Sequence, residues 1–335
     1  MRAMILDALG PLADNPAPLQ LADWPDPTPA GGELLIEVRT CGVCHTELDE
    51  IEGRTPPPRL PIVLGHQVVG RVAALGAGTT TFRLGDRVGV AWIFSACGAC
   101  DYCRRGEENL CEHATFTGWT ADGGYADAVT VPEDFAVTLP ESLDDLEAAP
   151  LLCAGVIGYR ALRRAEVQPG DRVALFGFGA SAHLSIQVLH HWGCDVVVLT
   201  RGETHRALAR ELGASFVGDA AELPPEPCDR AVVFAPAGEL VPVALDAVRP
   251  GGTVSLAGIH MSDIPSFEYR RLWRERTLRS VANMTRQDAE EFMAIAAEAG
   301  VRSEYATYAL EDANDALLAI RGDEVRGAAV LQISV

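Results

Sequence analysis

Runs of alternating apolar and polar residues crowd the first half of the chain. They include ELLIEVRT at 33–40, QVVGRVAALG at 67–76, RVGVAW at 87–92 and YADAVTV at 125–131. A period of two predicts half-buried strands, and the turn-forming stretches PDPTPAGG at 25–32 and LGD at 84–86 separate them. Residues 1–154 therefore read as an all-β, barrel-like lobe with few helices. The pattern changes near residue 155. VIGYRALRRA at 156–165 is helical in period, QPGD at 168–171 is a turn, and RVALFGFGASAHLSIQVLHHWGCDVVVLTRG follows as strand, glycine turn, helix and strand. Helices and strands keep alternating to residue 283, which predicts a parallel sheet covered on both faces. Residues 284–335 supply two further helices and two strands. The final run, GAAVLQISV at 327–335, has no partner in that alternation and is expected to return to the first lobe.

Composition agrees with a two-domain α/β protein. The chain has 335 residues, 48% apolar and 22% charged, typical of a folded domain pair. Its net charge is −20, and all 27 basic residues are arginine. So acidic a chain repels nucleic acid and anionic membrane, which excludes both as expected partners. Asp7 interrupts the N-terminal apolar residues, and no uncharged apolar run reaches the length of a membrane span. The expected compartment is the cytoplasm, where nine cysteines read as metal ligands and free thiols.

Four of them, Cys97, Cys100, Cys103 and Cys111, lie in CGACDYCRRGEENLC, within a lobe at about 95–113. This spacing lets four thiolates surround one zinc ion with no open position, as in a structural site. An iron–sulfur motif begins similarly, but a single cluster with no following proline argues against it. Gly177, Gly179 and Ala182 form a G-x-G-x-x-A turn between a strand and a helix, the arrangement that receives a dinucleotide pyrophosphate. The next strand ends in Thr200-Arg201, where NAD binders usually carry an acid. A hydroxyl followed by arginine suits a 2′-phosphate, so NADP(H) is expected rather than NAD(H). Cys44, His66 and Cys153 are candidates for a second, catalytic zinc with one open position. On spacing alone Cys41 serves as well as Cys44.

The ordered series CGVCHTEL, GHQVVGRVAALG, the four-cysteine lobe, LLCAG and the glycine turn resembles the zinc-dependent medium-chain dehydrogenase/reductase superfamily, the alcohol dehydrogenases. The resemblance spans nearly the whole chain. It implies a GroES-like β-barrel catalytic domain (1–154 with 284–335) and a Rossmann cofactor domain (155–283). It also implies two zinc ions per chain, with Cys44 rather than Cys41 joining His66 and Cys153. By family position Thr46 contacts the substrate oxygen, His45 the cofactor phosphate, and Glu47 orients His66. Trp92 and Phe94 line the substrate pocket, ahead of Phe116 and Trp119. Two residues depart from the family pattern: Gln67 replaces the acid of Gly-His-Glu, and Asp49 replaces a proton-relaying histidine. The implied reaction interconverts alcohols with aldehydes or ketones, in a homo-oligomer (tetramer or dimer). A quinone or enone reductase of the same fold, which usually lacks the zinc ligands, and a non-catalytic zinc- and nucleotide-binding regulator are the alternatives.

Overall fold

The structure is a computed structural model that describes residues 1–334; the last residue of the expected closing strand lies outside them. The chain divides into two compact units, Met1–Cys153 with Thr285–Ala297 and Arg302–Val335, and Ala154–Met284 with Glu298–Val301.

In the first unit, β1 (Arg2–Leu6) pairs with β2 (Leu19–Asp23), and the long β3 (Glu33–Val43) leads into helix α1 (His45–Ile51). There follow β4 (Ile62–Val63), β5 (Gln67–Leu75), β6 (Arg87–Val90), β7 (Ile93–Ser95), α2 (Asp101–Arg104), β8 (Thr115–Phe116), β9 (Ala128–Pro132), β10 (Ala136–Thr138) and α3 (Asp145–Pro150). Alternation works as the period predicts: Leu34, Ile36 and Val38 of β3 are fully buried, and the buried residues of β1, β3, β5 and β9 share one core. Each such side chain contributes about 1.5–3 kcal/mol by leaving water. The β3–β5 ladder is antiparallel, with Gly42 opposite Gln67. Cys44, just past β3, and His66, just before β5, therefore flank the same end of that ladder.

The second unit begins with α4 (Val156–Arg164) and then alternates β11 (Arg172–Phe176), α5 (Ala180–His191), β12 (Asp195–Leu199), α6 (Glu203–Glu211), β13 (Phe216–Gly218), β14 (Cys228–Val233), α7 (Leu240–Ala247), β15 (Val248–Leu256) and β16 (Thr277–Ser280). All six strands run parallel in the order β13-β12-β11-β14-β15-β16. Counted within the unit, that is the 3-2-1-4-5-6 order of dinucleotide-binding sheets. The central strands are buried almost throughout, as a sheet covered on both faces requires.

The chain then forms α8 (Arg286–Ala299), β17 (Tyr305–Ala309), α9 (Ala313–Arg321) and β18 (Ala328–Gln332). β18 runs antiparallel to β3, with Ala329 opposite Val43, and parallel to β17. The mixed architecture is the α/β class that the patterning predicts. No helix of the described residues is long and apolar enough to cross a membrane.

Candidate active site

Cys44, His66 and Cys153 come together although 22 and 87 residues separate them along the chain. One ligand atom from each lies within 4.8 Å of the others, and Cys44 Sγ is 3.7 Å from His66 Nε2. A tetrahedral zinc with ordinary Zn–S and Zn–N lengths would set that edge at about 3.6 Å. Three local devices build the trio. Cys44 is the N-cap of α1, and the amide of Thr46 donates to its sulfur at 3.4 Å. His66 follows Gly65, whose φ of +96° turns the chain into β5. Cys153 rides on a single π turn, Leu151–Gly155, between α3 and α4, a wide turn found often at functional sites.

Glu47 connects two of the ligands. Its Oε2 accepts from the backbone N–H of Cys44 at 2.9 Å, completing a capping box. Its Oε1 lies 2.7 Å from His66 Nδ1, both side chains being essentially inaccessible. That approach is bent away from a linear hydrogen bond, yet it is short enough to fix which imidazole nitrogen faces the ligands. Burial lowers the proton affinity of His66, but Glu47 and Cys44 more than reverse this and raise it well above the usual range. The Cys44 thiol is also pushed well up, by its contact with Cys153, by burial and by Glu47.

The second cluster is equally compact. Cys97, Cys100, Cys103 and Cys111 have Sγ–Sγ separations of 3.5 Å (Cys100–Cys103), 3.6 Å (Cys97–Cys111) and 3.9 Å (Cys97–Cys103). Disulfides would need about 2.05 Å, whereas a tetrahedral Zn(Cys)₄ centre gives about 3.8 Å. Backbone amides aim at two of the sulfurs, Cys100 N at Cys97 and Cys103 N at Cys100. The amides of Ala99 and Cys100 bring the Cys97 thiol down to about 6, while burial and Cys100 push Cys103 up to about 12. The lobe has almost no apolar interior: α2 buries no residue, and among 97–111 only Glu108, Asn109 and Cys111 are buried.

In the second unit Gly177 has φ +88°, and a Cβ there would lie 2.9 Å from Ala235 N, so only glycine fits. Gly179 precedes α5, which begins at Ala180 with no side-chain cap and so leaves its first N–H groups for an anion. Ala182 is fully buried. Past β12, Thr200 is buried and Arg201 exposed, and Arg206 Nε of α6 donates to Thr200 O at 3.0 Å.

Comparison with known proteins decides the family. Residues 30–141 match the family described as Alcohol dehydrogenase GroES-like domain, and residues 182–298 match Zinc-binding dehydrogenase. The chain is 47% identical to a probable alcohol dehydrogenase, AdhA, of Mycobacterium tuberculosis over 97% of its own length and 95% of that protein. The chain belongs to the zinc-containing medium-chain alcohol dehydrogenase family. It is 35% identical to an alcohol dehydrogenase of Geobacillus stearothermophilus, covering 94% of this chain and 96% of that one. Among solved structures, a cinnamyl alcohol dehydrogenase from Sorghum bicolor superposes with a TM-score of 0.88 at 26% identity, over 99% of this chain and 97% of that one. Membership makes this protein a zinc-type, NAD(P)-dependent alcohol oxidoreductase.

Within this dehydrogenase the structure sorts the remaining candidates. Cys41 is buried beside the trio without joining its ligand atoms. Thr46 is half-buried and His45 exposed at the start of α1. Asp49, on the same helix, pairs with Arg54 at 2.5 Å. The Trp92 ring meets His66 edge to face at 4.9 Å and stacks on Phe116 at 5.4 Å. Trp119 then packs on Phe116, so an aromatic row runs from the imidazole through Trp92 and Phe116 to Trp119, and Phe94 is half-buried. Gln67 is buried with its Nε2 unpartnered. Sequence reading missed Glu50, one helical turn beyond Glu47 and fully buried. Burial, then Glu47, pushes its proton affinity well above the carboxylate range, while His66 pulls the other way. Its position i+3 from Glu47 on a helix was the available signal.

Proposed function

We propose that this enzyme interconverts alcohols with aldehydes or ketones by direct hydride transfer, that it prefers NADP(H) to NAD(H), and that each chain carries two zinc ions. One observation carries the reading: two thiols and one imidazole converge, leaving a tetrahedral ion one position for substrate oxygen. Bound there, zinc supplies Lewis acidity toward that oxygen, and the nicotinamide accepts or returns the hydride.

The chain's own residues do the rest. Cys44, His66 and Cys153 hold the catalytic ion and Glu47 fixes the orientation of two of them. Thr46 takes the proton of the substrate hydroxyl and passes it outward, with Asp49 the next acid on the same helix face to receive it. Trp92 and Phe94 wall the substrate. Gly177, Gly179 and Ala182 admit the pyrophosphate, and His45 approaches a cofactor phosphate. Cys97, Cys100, Cys103 and Cys111 hold the structural ion. Thr200 and Arg201 offer hydroxyl and guanidinium to a 2′-phosphate, and Arg206, held on Thr200 O, adds a second cation beside them. Exposed Tyr269 and Trp273 support assembly as a dimer or tetramer, which sedimentation tests.

Zinc analysis should find two ions per chain, with Cys44→Ala losing one of them and all turnover. Screening alcohols, aldehydes and ketones with both dinucleotides should show a lower KM for NADP⁺. Arg201→Ala should erase that advantage, about tenfold or more for a lost charge-assisted contact. Equal use of both cofactors by wild type, unchanged in the variant, overturns the NADP assignment. One zinc with dinucleotide binding but no turnover would favour the regulator reading.

A further inference from the structure

The four-cysteine lobe buries one carboxylate that the proposed reaction does not use. Glu108 is 3% exposed, whereas Asp101, Arg104 and Arg105 of the same lobe face water. It opens a single 3₁₀ turn, Glu108–Leu110, that ends at the fourth cysteine. Both ends of the residue are engaged. Its backbone carbonyl accepts from the N–H of Cys111 at 3.0 Å. Its Oε1 accepts from the backbone N–H of Arg286 at 2.8 Å and from Arg286 Nε at 3.3 Å. Arg286 is the first residue of α8, a helix of 14 residues. The chain passes from the second unit back into the first just before it, between Met284 and Thr285.

A helix start leaves backbone N–H groups without partners in the helix itself. Here Thr285 Oγ1 accepts from Asp288 N at 3.2 Å, and Asp288 Oδ2 accepts from Thr285 N at 2.8 Å, a local capping pair. The N–H of Arg286 lies outside that pair and is served from the lobe. A carboxylate is the fitting acceptor there, at the positive end of the helix dipole. The Arg286 guanidinium also lies over the Phe135 ring at 4.9 Å, and Phe135 packs against the barrel core. A buried carboxylate is costly unless such donors surround it, so the burial of Glu108 requires lobe and helix start to stay together.

We propose that Glu108 is a positioning residue of the four-cysteine centre, one that sets Cys111 for its ion and joins the lobe to the first turn of α8. Metal in the lobe then orders residues 285–289, and order there tightens the lobe's hold on metal, one coupling seen from either side. This rests on the reading of the four cysteines as a structural zinc site and deepens it.

The test uses the full zinc-loaded chain, read by zinc competition and by hydrogen–deuterium exchange of a peptide covering 285–289. Cys97→Ala removes the lobe's ion without touching either bond of Glu108. It should speed exchange in that peptide about tenfold and leave α9 as in wild type. Glu108→Ala should speed the same amides by a similar factor and weaken the four-cysteine site for zinc about tenfold, with the ion at Cys44, His66 and Cys153 held within about threefold of wild type. Glu108→Gln keeps an acceptor for the Arg286 N–H and should fall between alanine and wild type on both readouts; it carries the test if the alanine variant does not fold. The double variant should exchange no faster than the faster single one, because both changes break the same connection. Unchanged exchange at 285–289 in Cys97→Ala, undiminished four-cysteine affinity in the Glu108 variants, or additive effects in the double variant would overturn the proposal. Failure of the underlying site reading looks different: the lobe of wild type itself would bind no zinc.

Discussion

Replacing Glu47 by glutamine tests the site most directly, because one carboxylate performs two tasks there. Oε2 accepts from Cys44 N at 2.9 Å and Oε1 meets His66 Nδ1 at 2.7 Å. Glutamine has nearly the same shape but a single acceptor oxygen. If that oxygen serves Cys44, an amide N–H is pointed at an imidazole N–H; if it serves His66, the N–H of Cys44 is orphaned. Either way one charge-assisted contact is lost in a fully buried place, worth about 1.5–3 kcal/mol. Part of that loss is shared by the metal-free protein, so the effect on zinc binding should be about 2 kcal/mol, roughly thirtyfold. Competition with a colorimetric chelator reads the two ions of one chain separately. The four-cysteine ion should be released as in wild type, which serves as an internal control, while the second ion leaves at lower chelator. If Glu47→Gln binds both ions within about threefold of wild type, the clamp is unimportant and the reasoning fails.

Two further outcomes follow from the same geometry. His183 is buried on α5 with neither ring nitrogen in a good hydrogen bond, and burial drives its pKa down to about 4, against a weaker pull from the carbonyls of Gly179 and Ala180. Its folded pKa lies below the unfolded value, so the stability it contributes is complete above about pH 6.5 and is lost as pH falls toward 4. By pH 5.5 the loss should be about 1.4 kcal/mol. Urea midpoints of wild type and His183→Gln, compared from pH 8 to 5.5, should diverge by that amount, and parallel curves would refute it. Gly65→Ala combines a φ of +96° with a Cβ 2.4 Å from the Tyr125 ring and should cost about 3 kcal/mol of unfolding free energy. A variant within about 1 kcal/mol of wild type would show that the turn can relax.

Features written in short spans of sequence were legible before the fold was seen. Four cysteines within fifteen residues announce their ion because the ligands lie on one loop. The glycine turn announces itself because strand, turn and helix are contiguous, and buried parallel strands such as β11 and β12 read as apolar runs. The trio is another matter. No spacing rule links residues 44, 66 and 153; on spacing alone Cys41 fitted as well as Cys44, the family resemblance chose Cys44, and the structure gathers that residue with the other two. Glu50 escaped notice because a glutamate in a short helix normally faces water; only the packing of that helix shows it buried. The aromatic row from Trp92 to Trp119 depends on loops meeting, which periodicity does not encode.

The four-cysteine lobe carries one more consequence. With hardly any oily interior of its own, it relies on its ion as other segments rely on a core. At its tip Arg104 and Arg105 stand 63% and 56% exposed. Stripping that ion should therefore offer a double arginine on a slack loop to trypsin, so that a nick there reports metal status on a gel while the barrel beneath stays whole.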